Sequence, residues 1–426
     1  MGKSRPRRFF GQRLRFRPLR GSGEKAWLLP AALMKPRTIG VMARAIDQPD
    51  GLGRYCEQVL RQLLLLDSQS RYLIFLGSER TQEQWRKFEN AQPQVLTSRS
   101  KLIWDQIMVP AAARRLGVDL LFNPKFSLPL CTRIPGVFVL QSSDWYVNPA
   151  NYPWWDNIYI RLMLPLYCRK ASGLLAISKT TLDDLARHVK LTSPATAITY
   201  AGVGPEFTAR RDPIAQQQFR ADYALPERFI LTVARVQHTG HRGLPDYPGG
   251  NNERLLRAYR RYRDRSPAPL PLVVAGREIE PYLRQRGFSD ADLANVHFIG
   301  FVPNERLALA YQLADCFVLA TLFESFGLPI LEALATGCPA IVPRTGAGPE
   351  VGGSACRLID PYDEDDIAAA LLEVTSSQEL RTQMSHAGVA RARNFSWRQT
   401  AERVLTVFNE LVPNRAATTP MAATRS

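Results

Sequence analysis

Short apolar runs alternate with longer amphipathic stretches over most of the 426-residue chain. Runs such as Thr38 to Met42 and Gly136 to Leu140 have the length and composition of buried strands, whereas Tyr55 to Leu66 has apolar residues at helical spacing. Strands that alternate with helices favour a parallel sheet covered by helices on both faces. The alternation begins again at Phe229, so the sequence predicts an α/β chain with two Rossmann-like parallel sheets.

The length fits two domains better than one. We expect two domains that are followed by a helix and flanked by segments without periodicity, which predict disorder. The predicted segments are a basic extension at 1–35, an N-terminal domain at 36–207, a C-terminal domain at 208–395, a helix at 396–412 and a polar tail at 413–426.

The formal net charge of +16 is concentrated at the N-terminus, where residues 1–36 contain ten Lys or Arg against the single acid Glu24. This extension has three interpretations: it binds nucleic acid, it binds an anionic membrane surface, or it has no partner. Interleaved Phe9, Phe10 and Phe16 suit a membrane surface. The body of the chain lacks a basic, aromatic-laced pattern, so we expect no nucleic-acid partner. Translation from Met34 instead of Met1 is a further alternative.

The spacing of the cysteines and the length of the apolar runs indicate where in the cell the protein is located. The six cysteines are scattered, with no C-x-x-C pair and no metal-ligand spacing, which favours a reduced cytosolic protein. The sequence contains no run of about 18 apolar residues, so we expect no transmembrane helix. We therefore expect a cytoplasmic protein, with peripheral contact at the inner face of the membrane through the basic extension.

Two glutamates eight residues apart, Glu324 and Glu332, frame the segment that indicates function most directly. A Phe-Gly-Leu-Pro turn lies between them and leads into a helix-like run. The first N–H groups of a helix have no partner within it and bind phosphate well. Glu332 lies among apolar residues and needs hydrogen-bond donors, which a ribose diol supplies. The segment predicts a nucleotide-sugar site, although two solubilising glutamates have the same spacing. The residues that would approach the phosphates are Phe326, Gly327 and Leu328.

The residues around this segment resemble a known family. Glu-Ala-Leu-Ala-Thr-Gly-Cys-Pro at 332–339 and Gly-Ala-Gly-Pro-Glu-Val at 346–351 are similar to runs of the retaining GT-B glycosyltransferases of group 1 (family 4), which include many bacterial mannosyltransferases. The resemblance implies two Rossmann-like parallel-sheet domains that face each other across a cleft, with the helix at 396–412 crossing back to the first domain. It also implies that Glu324 contacts the donor sugar and that Glu332 binds the ribose hydroxyls.

The resemblance gives four further residues a role at the donor. Arg235 ends the first strand of the second half, where a cation would stabilise the charge that grows on the leaving phosphate. Gly51 and Gly53, in Gly-Leu-Gly-Arg-Tyr, would let the backbone approach the diphosphate. Glu350 contacts the donor, orients its loop or caps the next turn. The alternative for Arg235 is an arginine on the surface at the end of a strand, and the alternative for Gly51 and Gly53 is an ordinary tight turn.

The chain departs from the family pattern at three positions near the cleft. Gly250 stands where the family usually has a lysine, and Arg242 in the preceding loop is the expected replacement cation. Gln141 stands in place of a histidine, and Ala201 replaces the usual asparagine. Glutamine hydrogen-bonds a sugar but carries no proton, so Gln141 is an acceptor-side residue, as is Asp144.

The resemblance implies a specific reaction. A hexose, with mannose favoured, moves from a GDP- or UDP-linked sugar to a hydroxyl of a glycan or lipid-linked acceptor, in bacterial polysaccharide or glycolipid assembly. We expect retention at the anomeric carbon, no metal and no cofactor, because helix N–H groups and cations hold the diphosphate. Two alternatives remain: an inverting GT-B transferase, which needs a general base in the first domain, and a weakly active or non-catalytic paralogue that partners an active transferase.

Overall fold

The computed structural model describes residues 36–48, 50–236 and 250–413. Within these ranges the strands form two sheets, one of seven strands and one of six. The first sheet contains β1 (Thr38–Met42), β2 (Arg71–Leu76), β3 (Ala91–Val95), β4 (Leu120–Asn123), β5 (Gly136–Leu140), β6 (Gly173–Ala176) and β7 (Ala195–Ile198). The second contains β8 (Ile230–Val233), β9 (Leu272–Ala275), β10 (Val296–Gly300), β11 (Cys316–Val318), β12 (Ala340–Pro343) and β13 (Cys356–Ile359).

Helices cover both sheets and follow the strands along the chain. Those of the first half are α1 (Gly51–Leu66), α2 (Gln82–Arg86), α3 (Lys101–Ile103), α4 (Val109–Arg115), α5 (Asp144–Val147), α6 (Trp154–Lys170) and α7 (Lys179–Ala186). A π-helical turn, Trp104–Met108, joins α3 to α4. The rest are α8 (Pro213–Asp222), α9 (Asn252–Arg265), α10 (Ile279–Gln285), α11 (Asn304–Leu313), α12 (Leu328–Thr336), α13 (Gly348–Gly352), α14 (Glu364–Ser376), α15 (Gln378–Ala392) and α16 (Trp397–Leu411).

Both sheets are parallel throughout the paired strands and share one topology. The strand orders are β3-β2-β1-β4-β5-β6-β7 and β10-β9-β8-β11-β12-β13. The central strands are buried along their whole length, as expected for parallel strands covered on both faces. In each sheet the order reverses beside the first strand, at β1/β4 and at β8/β11. Ligands bind at such switch points, outside the carboxyl ends of the strands.

The last helix returns to the first sheet. The ring of Trp397 at the start of α16 lies 5.7 Å from that of Tyr55 on α1, and Phe408 lies 5.2 Å from Phe122 on β4. Arg37, just before β1, donates to the side chain of Asn409 at 2.8 Å. These contacts join the last helix to the first half of the chain, and the described residues of the two sheets form one compact unit.

The predicted fold class is confirmed, and three local differences have clear causes. β3 is an edge strand with an internal Pro93, which obscured it because proline is rare within strands. The segment between the halves contains α8, whose polar sequence hides a helix that Asp212 caps. The helix α1 begins at Gly51, ahead of the predicted Tyr55, because Asp50 caps it. The extension 1–35 and residues 414–426 lie outside the described residues.

Candidate active site

The loop between β11 and α12 brings backbone N–H groups to the carboxyl end of the second sheet. Gly327 precedes the helix with φ of +87°, a conformation that favours glycine, and no side chain caps α12. A Cβ atom at this position would lie 2.7 Å from the side chain of Ile330. Pro329 occupies the second helical position, where a missing N–H costs nothing. The start of α12 therefore has the free donors and the partial positive charge that favour a phosphate.

Glu332 is buried within α12 and is held by residues that the sequence analysis did not identify. Its carboxylate is paired with Arg54 of α1, with Nη1 at 2.5 Å from Oε1, and it accepts from the Tyr311 hydroxyl at 3.2 Å. Burial raises the pKa of Glu332, and the Arg54 guanidinium opposes that rise. The same guanidinium donates to Glu206 at 2.8 Å. This carboxylate thus has one donor from each half of the chain, Arg54 and Tyr311, and its contact with a ribose stays a prediction.

Glu324 lies in the cleft near Asp144 of the first half. Its Oε1 accepts from the Thr321 hydroxyl at 2.8 Å, and its backbone carbonyl accepts from the Ala347 N–H at 2.7 Å. Burial raises the pKa of Glu324 to about 7, and the charge of Asp144 adds to the rise. Asp144 itself accepts from the Tyr152 hydroxyl at 2.7 Å. The structure therefore brings together the predicted sugar-contacting glutamate and a predicted acceptor-side residue.

The predicted cation of the second half, Arg235, is exposed two residues beyond β8. In the described part of the chain its guanidinium has no ion-pair partner. Its backbone carbonyl accepts from the Asn252 side chain and lies 3.1 Å from the place of a Cβ at Gly250. Arg235 follows the carboxyl end of β8, at the sheet edge that contains the β8/β11 switch point. The predicted replacement cation, Arg242, lies outside the described residues.

The two glycines of α1, Gly51 and Gly53, have different surroundings. A Cβ atom at Gly51 would lie 3.5 Å from Leu328 at the start of α12, so the first-half turn lies against the proposed phosphate site. Gly53 has a local reason to be glycine, because a Cβ there would meet the Gln48 carbonyl at 2.0 Å. The N–H groups of Leu52 and Gly53 both donate to Asp50. The approach of these two glycines to a diphosphate stays a prediction.

Glu350 binds the first half of the chain. Its carboxylate accepts from the backbone N–H groups of Lys179 and Thr180 at 2.6 and 2.9 Å, and from the Thr180 hydroxyl at 2.7 Å. These are the first residues of α7, so Glu350 caps a helix across the cleft. Ser325, beside Glu324, adds further bonds, because its carbonyl accepts from the Ser178 hydroxyl at 2.6 Å.

Two other predicted residues are largely buried by protein contacts. The Gln141 side chain donates to the Pro124 carbonyl at 2.7 Å and fixes the loop after β4. Phe326 packs against Tyr200 and Phe395, with ring centroids 6.2 and 5.9 Å away. Leu328 is half-buried beside Gly51. Ligand contact from the side chains of Gln141 and Phe326 would need these contacts to change.

Three cations of the first half lie together near its strand ends and were missed because they are far apart in sequence. The ammonium groups of Lys101 and Lys125 lie 4.9 and 5.7 Å from the ring of Phe126. Burial lowers the pKa of both lysines, and each is affected by the charge of Arg44. One buried guanidinium nitrogen of Arg44 has no hydrogen-bond partner among the described atoms. The first half therefore has a cluster of positive charge near the β1/β4 switch point. Among the described residues, the buried acid that interacts with all three cations is Asp105.

Clusters of metal ligands and membrane-spanning helices are both absent from the described ranges. No three His, Cys, Asp or Glu side chains come together there in an arrangement that would hold a metal ion. None of the helices described is both long and apolar enough to cross a bilayer.

Comparison with known proteins gives one family match and a set of similar proteins. Residues 248–391 match the family described as "Glycosyl transferases group 1". The serotype-specific mannosyltransferase WbdA of Escherichia coli is 27% identical over 255 residues, which cover 58% of this chain but only 30% of that protein. The MMP alpha-(1->4)-mannosyltransferase of Mycolicibacterium hassiacum is 25% identical over 318 residues, 71% of this chain and 70% of the relative.

A solved structure shows the same fold over most of the chain. The crystal structure of Anabaena Alr3699/HepE in complex with UDP-glucose aligns with a TM-score of 0.66 and 14% identity, covering 88% of this chain and 100% of that one. The two sheets therefore have the GT-B arrangement. Residues 248–391 thus match the group 1 glycosyltransferases, and the chain as a whole is similar to mannosyltransferases and has the GT-B fold.

Proposed function

We propose that this protein transfers a hexose, with mannose favoured, from a nucleotide diphosphate sugar to an acceptor hydroxyl with retention at the anomeric carbon. The acceptor belongs to bacterial polysaccharide or glycolipid assembly. One observation carries the proposal: Glu324, with its raised pKa, lies beside the uncapped start of α12 and near Asp144 of the opposite domain. Sugar, phosphate and acceptor groups thus have complementary residues in one cleft.

The diphosphate would lie at the start of α12. The N–H groups around Gly327 and Leu328 favour a negative charge there, and Arg235 supplies a cation from the next strand. These groups would stabilise the charge that develops on the leaving phosphate. In this proposal no metal is needed, because the N–H dipoles of α12 and the Arg235 guanidinium neutralise that charge.

Glu324 would hold the transferred sugar. A carboxyl with a pKa of about 7 is divided between its two protonation states at neutral pH, so it can accept from or donate to sugar hydroxyls. Asp144 would orient the acceptor from the other side of the cleft. The acceptor proton would pass to the leaving phosphate oxygen as the new glycosidic bond forms on the same face, so no separate enzymic base is required.

The donor preference follows from the relatives. WbdA and the MMP enzyme are named mannosyltransferases, and HepE was solved with UDP-glucose. These names support GDP-mannose as the first donor to test and UDP-glucose as the second. Incubation with each donor and a lipid extract, with NMR of the product, reads both the sugar and the anomeric configuration. An inverted linkage would contradict retention, and turnover of neither donor would contradict the proposed function.

A non-catalytic nucleotide-binding role is the second candidate. The pairing of Glu332 with Arg54 and the loss of the family's lysine at Gly250 favour it, because both bear on groups that would hold the nucleotide. The two candidate functions are distinguished by comparing nucleotide binding with turnover of the sugar donor. A transferase binds the nucleotide and releases it as product from the sugar donor, whereas the second candidate binds without turnover.

A further inference from the structure

Exposed large apolar side chains are concentrated on two helical segments of the first domain. Eight of the thirteen such side chains in the described residues lie on 101–115, which spans α3 to α4, and on α6. We call these eight the apolar face: Leu102, Ile103, Ile107, Trp154, Trp155, Ile158, Leu162 and Leu166. Trp154 and Leu162 are 69% and 63% exposed, so more than half of each side chain is open to solvent.

The helix α6 is apolar on both sides. Ile160, Leu164 and Tyr167 point inwards and are buried. Ile158 and Leu162, four residues apart, lie on the opposite side and are exposed. A helix in water usually has one apolar stripe and one polar face, whereas a helix that is apolar all round is covered on both sides. The outer side of α6 therefore has the composition of a surface that something covers.

The two segments of the apolar face are neighbours. Burial raises the pKa of Tyr159 on α6, and the charge of Asp105 in the π-helical turn adds to that rise. Burial lowers the pKa of Lys101, and the charge of Asp156 on α6 opposes it. Leu128 connects the two segments directly, because its carbonyl accepts from the Gln106 side chain at 3.0 Å and its side chain lies in one buried cluster with Ile160 and Leu164 of α6. The eight side chains thus belong to one region of the first domain.

Positive charge accompanies the apolar face. Segments 101–115 and 154–170 contain six basic residues against two acids, and one of the acids, Asp105, is buried. Four of the basic side chains are exposed arginines that form no ion pair within the described residues. They are Arg114, Arg115, Arg161 and Arg169.

We propose that the apolar face docks on an anionic lipid bilayer, with α6 and the 101–115 segment lying in the plane of the interface. Exposed tryptophans favour the boundary between headgroups and acyl chains, and exposed arginines on the same two segments gain from anionic lipids. A second copy of the chain fits less well. A two-fold interface places a patch against itself, so the four arginines would meet one another without enough acidic partners.

The apolar face adjoins the acceptor side of the cleft. Lys101 and Lys125 lie over the ring of Phe126, which is 4.8 Å from that of Trp145, and Trp145 follows Asp144. Docking through this face would therefore bring the cleft to the bilayer surface, where a lipid-linked acceptor is held. The docking itself goes beyond the proposed function and needs no donor, so it is tested without turnover.

The test is sedimentation of the full chain with vesicles of phosphatidylglycerol and phosphatidylethanolamine, compared with vesicles of phosphatidylcholine alone. The double variant Ile158→Glu/Leu162→Glu puts charge on the outer side of α6 and leaves its buried side intact. Ile214→Glu is the matched control, because Ile214 is 81% exposed on α8, outside the apolar face. Thermal unfolding verifies that each variant folds. Quenching of tryptophan fluorescence by brominated lipid, with Trp154→Phe as comparison, reads insertion directly.

We expect the full chain to bind the anionic vesicles, with partitioning at least tenfold weaker for the double variant and unchanged for Ile214→Glu. Quenching should fall in Trp154→Phe. Equal binding by wild type and double variant would overturn the proposal, because the basic extension alone would then account for it. No vesicle binding by wild type would also overturn it, as would a dimer seen by light scattering that dissociates in the double variant.

Discussion

At the scale of residues, the two carboxylates of the unit from β11 to α12 have different surroundings. Glu324 has Thr321 as its hydrogen-bond donor and lies near another acid, whereas Glu332 has a guanidinium and a phenol. Their spacing predicted both as ligand groups, but spacing contains no information about residues nearly 300 positions away. Arg54 was visible only as part of the Gly-Leu-Gly-Arg-Tyr turn. Its pairing with Glu332 is a tertiary contact that only the folded chain reveals.

The surroundings of Glu324 predict a pH-dependent cost to stability. Its pKa rises from about 4.5 in the unfolded chain to about 7 in the folded protein. The folded state thus binds the proton more tightly, and stability falls as the pH rises from 4.5 to 7. Each unit is worth about 1.4 kcal/mol, and partial exposure reduces the total to about 1–2 kcal/mol.

Glu324→Gln removes this titration. We expect it to be about 1–2 kcal/mol more stable than wild type at pH 8.5, with a smaller difference at pH 5. Transfer should fall by about 100-fold while nucleotide binding is kept, because the sugar contact is lost. Denaturant unfolding at the two pH values and a transfer assay measure these effects. Glu305→Gln, an exposed residue of α11, is the control. A difference in stability that does not change with pH would refute the assignment.

The pairing of Arg54 with Glu332 predicts a large cost for its removal. Arg54→Ala leaves a buried carboxylate without its cation, so we expect a loss of about 3 kcal/mol in the free energy of unfolding. The matched control is Arg61→Ala on the same helix, where the half-buried pair with Glu57 should contribute at most about 0.5 kcal/mol. Urea unfolding of both variants gives the comparison. Equal losses would contradict the buried pairing.

At the scale of elements, the strand–loop–helix unit from β11 to α12 was predictable almost completely. Pro329 and Gly327 define the start of the helix locally, and the apolar run before them defines the strand. Elements with weak local signals were missed. The edge strand β3 contains a proline, and α8 is polar between its caps. The partner of Glu350 was also unpredictable, because α7 lies about 170 residues away in the sequence and in the other half.

The proposed phosphate site at the start of α12 is tested by Gly327→Ala, provided that a second variant measures the effect of backbone strain alone. Gly327→Ala is expected to cost about 2 kcal/mol in stability, from a positive φ and from a contact of its Cβ with Ile330 at 2.7 Å. Gly287 has the same φ of +87° with no atom within 4 Å, so Gly287→Ala should cost about 1 kcal/mol. Only the first variant should weaken nucleotide binding in calorimetry. Equal weakening by both would show that the start of α12 has no special role.

At the scale of the whole molecule, the two sheets are connected by polar contacts across the cleft as well as by α16. Arg54 with Glu332, Ser178 with Ser325, and Glu350 with the start of α7 all cross it. The two-sheet architecture and the return of the last helix followed from the sequence and the family resemblance. These bridging contacts did not, because hydrogen bonds between distant polar residues have no periodic signal.

Glu350 provides a prediction about closure of the cleft. Both of its carboxylate oxygens are used by α7, so Glu350→Ala should loosen the domains without removing a donor contact. Amide hydrogen exchange in α7 should increase about tenfold, which corresponds to a loss of about 1.4 kcal/mol, whereas nucleotide affinity should change less than twofold. Asp212→Ala, which removes the cap of α8 within one half, is the control and should leave exchange in α7 unchanged. A large fall in affinity would instead support direct donor contact.

The central claim is that α12 and its glutamates form a nucleotide-sugar site. Calorimetric titration of the full chain with GDP, UDP and ADP, repeated on Glu332→Ala, tests it most directly. We predict saturable binding of one nucleotide by wild type and a loss of at least tenfold in the variant, which thermal unfolding shows to be folded. Absence of binding by all three nucleotides, or equal binding by a folded Glu332→Ala, would contradict the claim.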